Sequence, residues 1–177
     1  MDTAASPVAP AVPAPRWARW VAHLITLAVL PSCLWRLGMA MGFPLGYTTE
    51  GFAVIRPPGV WGPLWLVLLS VATEGAALLS FVLVGRWGEV VPRWIPLVGG
   101  SRVPRFAVLV PAWVGVVVLA GLWTPFVFWW RFPDPGMTEA GHMMVGFLYL
   151  PLVVWAPLLA ALVLSYQRRT ARGGARV

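Results

Sequence analysis

The sequence predicts an all-α integral membrane protein, a four-transmembrane-helix bundle with both termini cytoplasmic. Three observations predict it. Four long apolar runs, at about residues 17–41, 59–84, 103–130 and 142–166, occupy most of the 177 residues. Each exceeds the roughly 20 residues that a helix needs to cross a ~30 Å hydrocarbon layer. Arginines gather at alternate junctions between the runs. Finally, the runs are continuous, whereas β-barrel strands would show short alternating segments. Lipid-exposed backbone must satisfy its own hydrogen bonds, so continuous apolar runs of this length are read as helices.

The first run, 17–41, follows an Ala/Pro-rich arm (residues 1–16) that has little to bury. Its basic flank and a small-residue triplet at Gly38–Ala40 resemble a signal peptide, but the apolar stretch is too long and is expected to be retained. The second run ends in a connector of a different kind. Val90, Val91, Trp94, Ile95, Leu97 and Val98 alternate there with Arg86, Arg93 and Arg102. Pro92 and Pro96 prevent a long helix. This connector is expected to lie on the inner membrane surface, with Arg86, Arg93, Arg102 and Arg105 contacting anionic headgroups or a protein partner. The third and fourth runs carry Pro111, Pro125 and Pro151, and the first carries Pro31. All four prolines are expected to bend their helices. Residues 168–177 form a basic tail, leaving 17–167 as a single membrane domain.

Orientation follows from the charges. The chain holds 13 arginines and no lysine, with a net charge of +7. Ten arginines lie on one side: Arg16 and Arg19, then Arg86, Arg93, Arg102 and Arg105, then Arg168, Arg169, Arg172 and Arg176. Only Arg56 and Arg131 lie in the other two connectors. Basic residues near span ends mark the cytoplasmic side, which places both termini inside. Trp61, Trp65, Trp129 and Trp130 then fall at the outer headgroup level, where indoles partition. The basicity is accounted for by topology and lipid, so nucleic acid is not an expected partner. A homo-oligomer or a second membrane protein is.

Several chemistries are excluded. Cys33 is the only cysteine, so no internal disulfide or thiolate metal cage can form. Neither a nucleophile elbow, a zinc-protease helix, a P-loop nor a dinucleotide fingerprint is present. The chain is read as non-catalytic, without cofactor or metal.

Two groups of polar residues remain. Glu74 lies near the middle of the second run. A carboxylate at that depth costs several kcal/mol unless protonated, paired or wet, which makes it a functional candidate. At 1.5 Å per residue it lies ~9 Å from the inner boundary, close to the ~8 Å depth of His23. A His23–Glu74 contact is therefore expected, with Arg36 too far up the first run to pair. The second group is an outer-face cluster of Arg36, Glu50, Glu139 and His142. Small-residue stripes at Ala72, Ala76 and Ser80, and at Ala156 and Ala160, offer close helix approach.

The halves of the chain also resemble each other. Phe43-Pro44 precedes Thr49-Glu50, as Phe132-Pro133 precedes Thr138-Glu139. Trp61-Gly62-Pro63-Leu64 and Trp155-Ala156-Pro157-Leu158 follow, the second interval being five residues longer. Two hairpins related by an axis along the membrane normal would produce this pattern.

The stretch from Arg86 through Trp87, Gly88, Glu89, Val90, Val91, Pro92, Arg93, Trp94 and Ile95 to Pro96-Leu97-Val98-Gly99-Gly100 resembles a segment of a family of small, uncharacterised actinobacterial membrane proteins. Trp123-Thr124-Pro125-Phe126 and Gly146-Phe147-Leu148-Tyr149-Leu150-Pro151-Leu152 do likewise. The resemblance implies four spans and a bacterial plasma membrane. It carries over no site residues. The functional expectation is a non-catalytic accessory or interaction subunit, or alternatively a small proton-coupled transporter centred on Glu74.

Overall fold

A computed structural model gives the structure of residues 13–85 and 103–174. Four stretches are long and apolar enough to cross a membrane: Arg16–Ala40, Trp61–Val84, Arg105–Arg131 and Glu139–Ala171. The described residues are helical apart from connectors and one isolated antiparallel bridge, Tyr47 with Met137. Arg86, Arg93 and Arg102 of the anticipated surface connector lie outside the described residues, as do most of the N-terminal arm and the last three residues.

Helix α1 (Arg16–Ala40) buries Ala18, Ala22, Ile25, Val29 and Cys33, a stripe at the three- and four-residue spacing of one helix face. The small residues at 18 and 22 let it approach its neighbours closely. A short helix α2 (Thr49–Ile55) follows, then α3 (Trp61–Leu78) and its continuation α4 (Ser80–Val84). The buried face of α3 is Gly62, Leu66, Ser70 and Ala77. Ala72 and Ala76, expected on a packing stripe, are exposed. Ser80, the third residue of that stripe, is buried.

Helix α5 (Arg105–Trp123) passes through Thr124 into a 3₁₀ segment, Pro125–Arg131. Helix α6 (Glu139–Tyr149) passes into another, Leu150–Val154, and then into α7 (Trp155–Gly174). The four prolines behave differently. Pro31 and Pro111 are carried inside unbroken helices, whereas Pro125 and Pro151 each sit at the start of a 3₁₀ segment. A proline at the first turn sacrifices no hydrogen bond, so the change of pitch is placed where it costs least.

Helix α1 packs against α3 and α7, and α5 packs against α7. One core cluster joins the α1 stripe to Leu152, Trp155, Leu159, Leu162, Val163 and Tyr166. A smaller one, Trp35, Met39 and Leu66, lies towards the 42–60 and 132–138 connectors. No residue of α5 is fully buried.

The suspected duplication has a physical counterpart, shifted by one residue. Thr48 donates its backbone N–H and its hydroxyl to the carbonyl of Gly136, at 2.9 and 3.0 Å. Thr138 does the same to the carbonyl of Gly46, at 2.9 and 3.1 Å. Each threonine also caps a helix. Thr48 Oγ1 accepts from Gly51 N–H at 3.1 Å, and Thr138 Oγ1 from Gly141 N–H at 3.0 Å. Gly46, Tyr47, Thr48 and Gly51 thus correspond to Gly136, Met137, Thr138 and Gly141. The expected pairing of Thr49 with Thr138 is corrected to Thr48 with Thr138. Pro135 adds one residue to the second connector, which lets the Phe-Pro pairs and the threonines follow different offsets.

Tyr47 sits in this clasp, its ring stacked on Trp35 at 5.9 Å. Burial, with smaller contributions from the charge of Asp134 and from Tyr149, pushes its phenol up to about 12. The folded state therefore favours the neutral phenol. Its contribution to stability is complete below the ordinary tyrosine range near pH 10 and is lost as pH rises from about 10 towards 12. Ultraviolet titration of the wild type minus Tyr47→Phe should show a tyrosinate appearing near pH 12 rather than pH 10.

Candidate intramembrane polar site

Arg36 is the centre of the polar structure. It lies on the face of α1 that meets α3, four residues before the helix ends. The side chain is only 5% exposed. A buried charge is strongly destabilising unless it is paired or hydrogen-bonded, so its partners matter. Each of its three nitrogens has one. Nε donates to Ser70 Oγ at 3.3 Å, Nη1 to Tyr149 OH at 3.0 Å, and Nη2 to Cys33 Sγ at 3.5 Å. The guanidinium also lies 5.8 Å from the centroid of the Tyr149 ring. Ser70 is held in turn by the carbonyl of Leu66 at 2.9 Å.

The network continues to Glu74. The thiol of Cys33 lies 3.6 Å from the Ser70 carbonyl and 3.8 Å from Glu74 Oε2. Cys33 therefore stands between the guanidinium and the carboxylate. The residues involved come from α1, α3 and α6, so one polar cluster ties three helices and lies where the two core clusters meet. Tyr149 belongs to the periphery of both.

Two expectations are corrected here. First, the partner of Glu74 is Cys33, with Arg36 beyond it, and not His23. The register of α1 against α3 and α4 is set by Cys33 beside Ser70 and Glu74, Arg36 beside Ser70, and His23 beside Phe81. His23 packs edge-on against Phe81 at 5.0 Å, near Trp20, and its Nδ1 pairs with the carbonyl of Arg19 at 2.7 Å. It lies ten residues before Cys33, about 15 Å along the helix. A His23–Glu74 contact requires the ends of the first two runs to lie flush with the membrane faces. Those pairings leave the first turn of α3 beyond the end of α1, where Arg56 of the 42–60 connector reaches the Ala40 carbonyl.

Second, Arg36 does not join Glu50, Glu139 and His142 at the surface. Glu50 and Glu139 are exposed first-turn residues of α2 and α6, where a carboxylate meets the positive end of the helix dipole. His142 is partly buried and packs on Trp129, ring centroids 5.1 Å apart. Arg105 is exposed at the first residue of α5. Arg56 takes the end-capping role that Arg36 lacks: its Nε and Nη2 both reach the carbonyl of Ala40, at 3.3 Å each, at the terminus of α1.

Sequence reasoning passed over Cys33, Ser70 and Tyr149. Their signal was present in part. Cys33 and Arg36 are three apart on one helix, and Ser70 and Glu74 four apart on another, so each pair shares a face. What a sequence does not state is that the two faces meet.

The fold and this site define a class: a small four-helix chain of membrane-spanning hydropathy, built as two clasped hairpins around a buried arginine. No protein-family model matches the sequence, and no curated protein and no solved structure matches it.

Proposed function

We propose that the chain is a multi-pass protein of a bacterial plasma membrane, with both termini cytoplasmic, that serves as a non-catalytic accessory or interaction subunit. The observation that carries this reading is the state of Arg36. Its guanidinium is enclosed, and every nitrogen is engaged by a group of the bundle. Such an arrangement suits a lock between helices better than an open path. The exposed apolar length of α5, with Val110, Val114, Val117, Val118 and Leu122 outward, and the exposed Ala72 and Ala76 of α3, supply faces for lipid, a second copy or another membrane protein. The arginine distribution supports the orientation, with the basic side reading anionic headgroups.

One observation favours a second reading. Glu74 is only half-buried and terminates the network, as a coupling carboxyl of a proton-driven transporter would. Proton flux across vesicles containing the purified protein, driven by an imposed pH gradient, separates the two. The first reading expects flux at the rate of protein-free vesicles for both the wild type and Glu74→Gln. Wild-type flux above that rate, abolished by Glu74→Gln, overturns it and establishes coupling.

A further inference from the structure

A second polar feature lies outside the Arg36 network. Between the 3₁₀ segment Pro125–Arg131, the following connector and α6 is a cleft of about 320 Å³. Phe126, Trp129 and Phe132 form aromatic walls, and Asp134 and His142 also line it. Trp129 is fixed in place. It is 7% exposed and lies flat on Gly146, where a Cβ would meet its ring at 2.4 Å.

The two polar wall groups are both incompletely used. Asp134 spends Oδ1 on the backbone N–H of Gly136 at 2.8 Å, shaping the turn. Its charge and second oxygen have no partner among the described residues. His142 Nε2 is buried without a hydrogen bond among them. A buried polar atom left unpaired is destabilising, and a ligand that supplies a hydrogen-bond partner relieves it. Aromatic faces favour a cation, a carboxylate favours a cation, and a neutral imidazole nitrogen accepts an N–H. The remainder of the wall, including Leu122, Met137 and Val145, is apolar.

We infer that this cleft binds a primary ammonium group carried on an apolar body. Asp134 and His142 take its N–H donors, and Trp129 with its neighbouring rings holds the body. The ammonium is presented by a free aryl- or alkylamine and by the ethanolamine headgroup of a lipid, whose ethylene link is the part that meets the rings.

Equilibrium dialysis of the full chain in phosphatidylcholine nanodiscs, using phenethylammonium against the neutral analogue 2-phenylethanol, tests this. The wild type is expected to hold the ammonium saturably and about tenfold more tightly, a ratio equivalent to 1.4 kcal/mol. Asp134→Asn retains an oxygen for Gly136 N–H, so the turn survives while the preference vanishes. Glu139→Gln, outside the cleft, leaves the preference intact. Phe132→Ala, at an exposed wall position, weakens both probes. Equal affinity for the two probes, a preference that survives Asp134→Asn, or an equal loss in Glu139→Gln overturns the inference. So does Phe132→Ala without effect. Nanodiscs supplemented with phosphatidylethanolamine distinguish the source: competition with the probe assigns the site to a lipid headgroup, and its absence to a free amine.

Discussion

Arg36→Met is expected to destabilise the bundle by about 3 kcal/mol, the scale of removing one member of a buried charge network. The hydrogen bonds alone do not account for this. Individual side-chain bonds between membrane helices average about 0.6 kcal/mol, so losing those to Ser70 and Tyr149 supplies about 1.2 kcal/mol, under half of it. The rest comes from the broken line of contacts that runs from the guanidinium through Cys33 to Glu74 Oε2. The double variant Arg36→Met with Glu74→Met is therefore expected to recover much of the loss. Both polar groups then leave together, and apolar replacement of interacting polar groups is often neutral. Fraction folded against denaturing-detergent content, measured for both single variants and the double, gives the coupling. Strict additivity of the two singles would show that Cys33 transmits nothing between them.

Gly51→Ala and Gly141→Ala are expected to be among the most damaging single-methyl additions at the described glycines. A Cβ at Gly51 would lie 2.0 Å from the carbonyl oxygen of Gly136, and one at Gly141 would lie 2.1 Å from that of Gly46. These obstacles are backbone atoms. They are also the carbonyls that receive Thr48 and Thr138, so no rotamer change relieves the clash. Relief requires the two connectors to separate and the four reciprocal bonds to stretch. Overpacking of this kind costs about 1–3 kcal/mol, and the loss of satisfied backbone groups places these sites at or above the upper end. The pseudo-symmetry makes the two effects comparable. Gly75→Ala and Gly121→Ala meet nothing within 4 Å and lie inside helices, so they are expected to be neutral or slightly stabilising. Thermal unfolding in one detergent, run on all four, checks the ordering. Gly51→Ala as stable as Gly75→Ala would contradict the clasp.

The clasp also shows how far pattern reading reached. The similarity of residues 43–50 to 132–139 was legible, because the repeated Phe-Pro and Thr-Glu pairs stand out in an apolar sequence. Its alignment was off by one, because the Phe-Pro pair and the capping threonine follow different offsets. Helix α2 had a sequence signature that went unused: Thr48, a glutamate two residues on and a glycine three residues on resemble the start of α6. The small-residue stripe of the second run was misplaced at Ala72 and Ala76, though not at Ser80, for a different reason. Ala72-Ala76-Ser80 satisfies the spacing as well as Leu66-Ser70-Ala77 does, and spacing alone cannot rank two faces of an apolar helix.

Arg36 marks the boundary between the two kinds of knowledge. The sequence by itself determined four stretches of membrane-spanning length and hydropathy, because the preference for hydrocarbon is a sum over neighbouring residues and needs no knowledge of the fold. It also picked out Glu74 as a polar residue in an apolar run. Only the tertiary structure decided what Glu74 and Arg36 meet. That outcome rests on the register of α1 against α3. Shifting one helix past another by two or three turns hardly changes its hydropathy, yet it exchanges His23 for Cys33 beside Glu74. Arginine near a helix end thereby becomes the buried tie of three helices, a role set by side-chain geometry between distant segments.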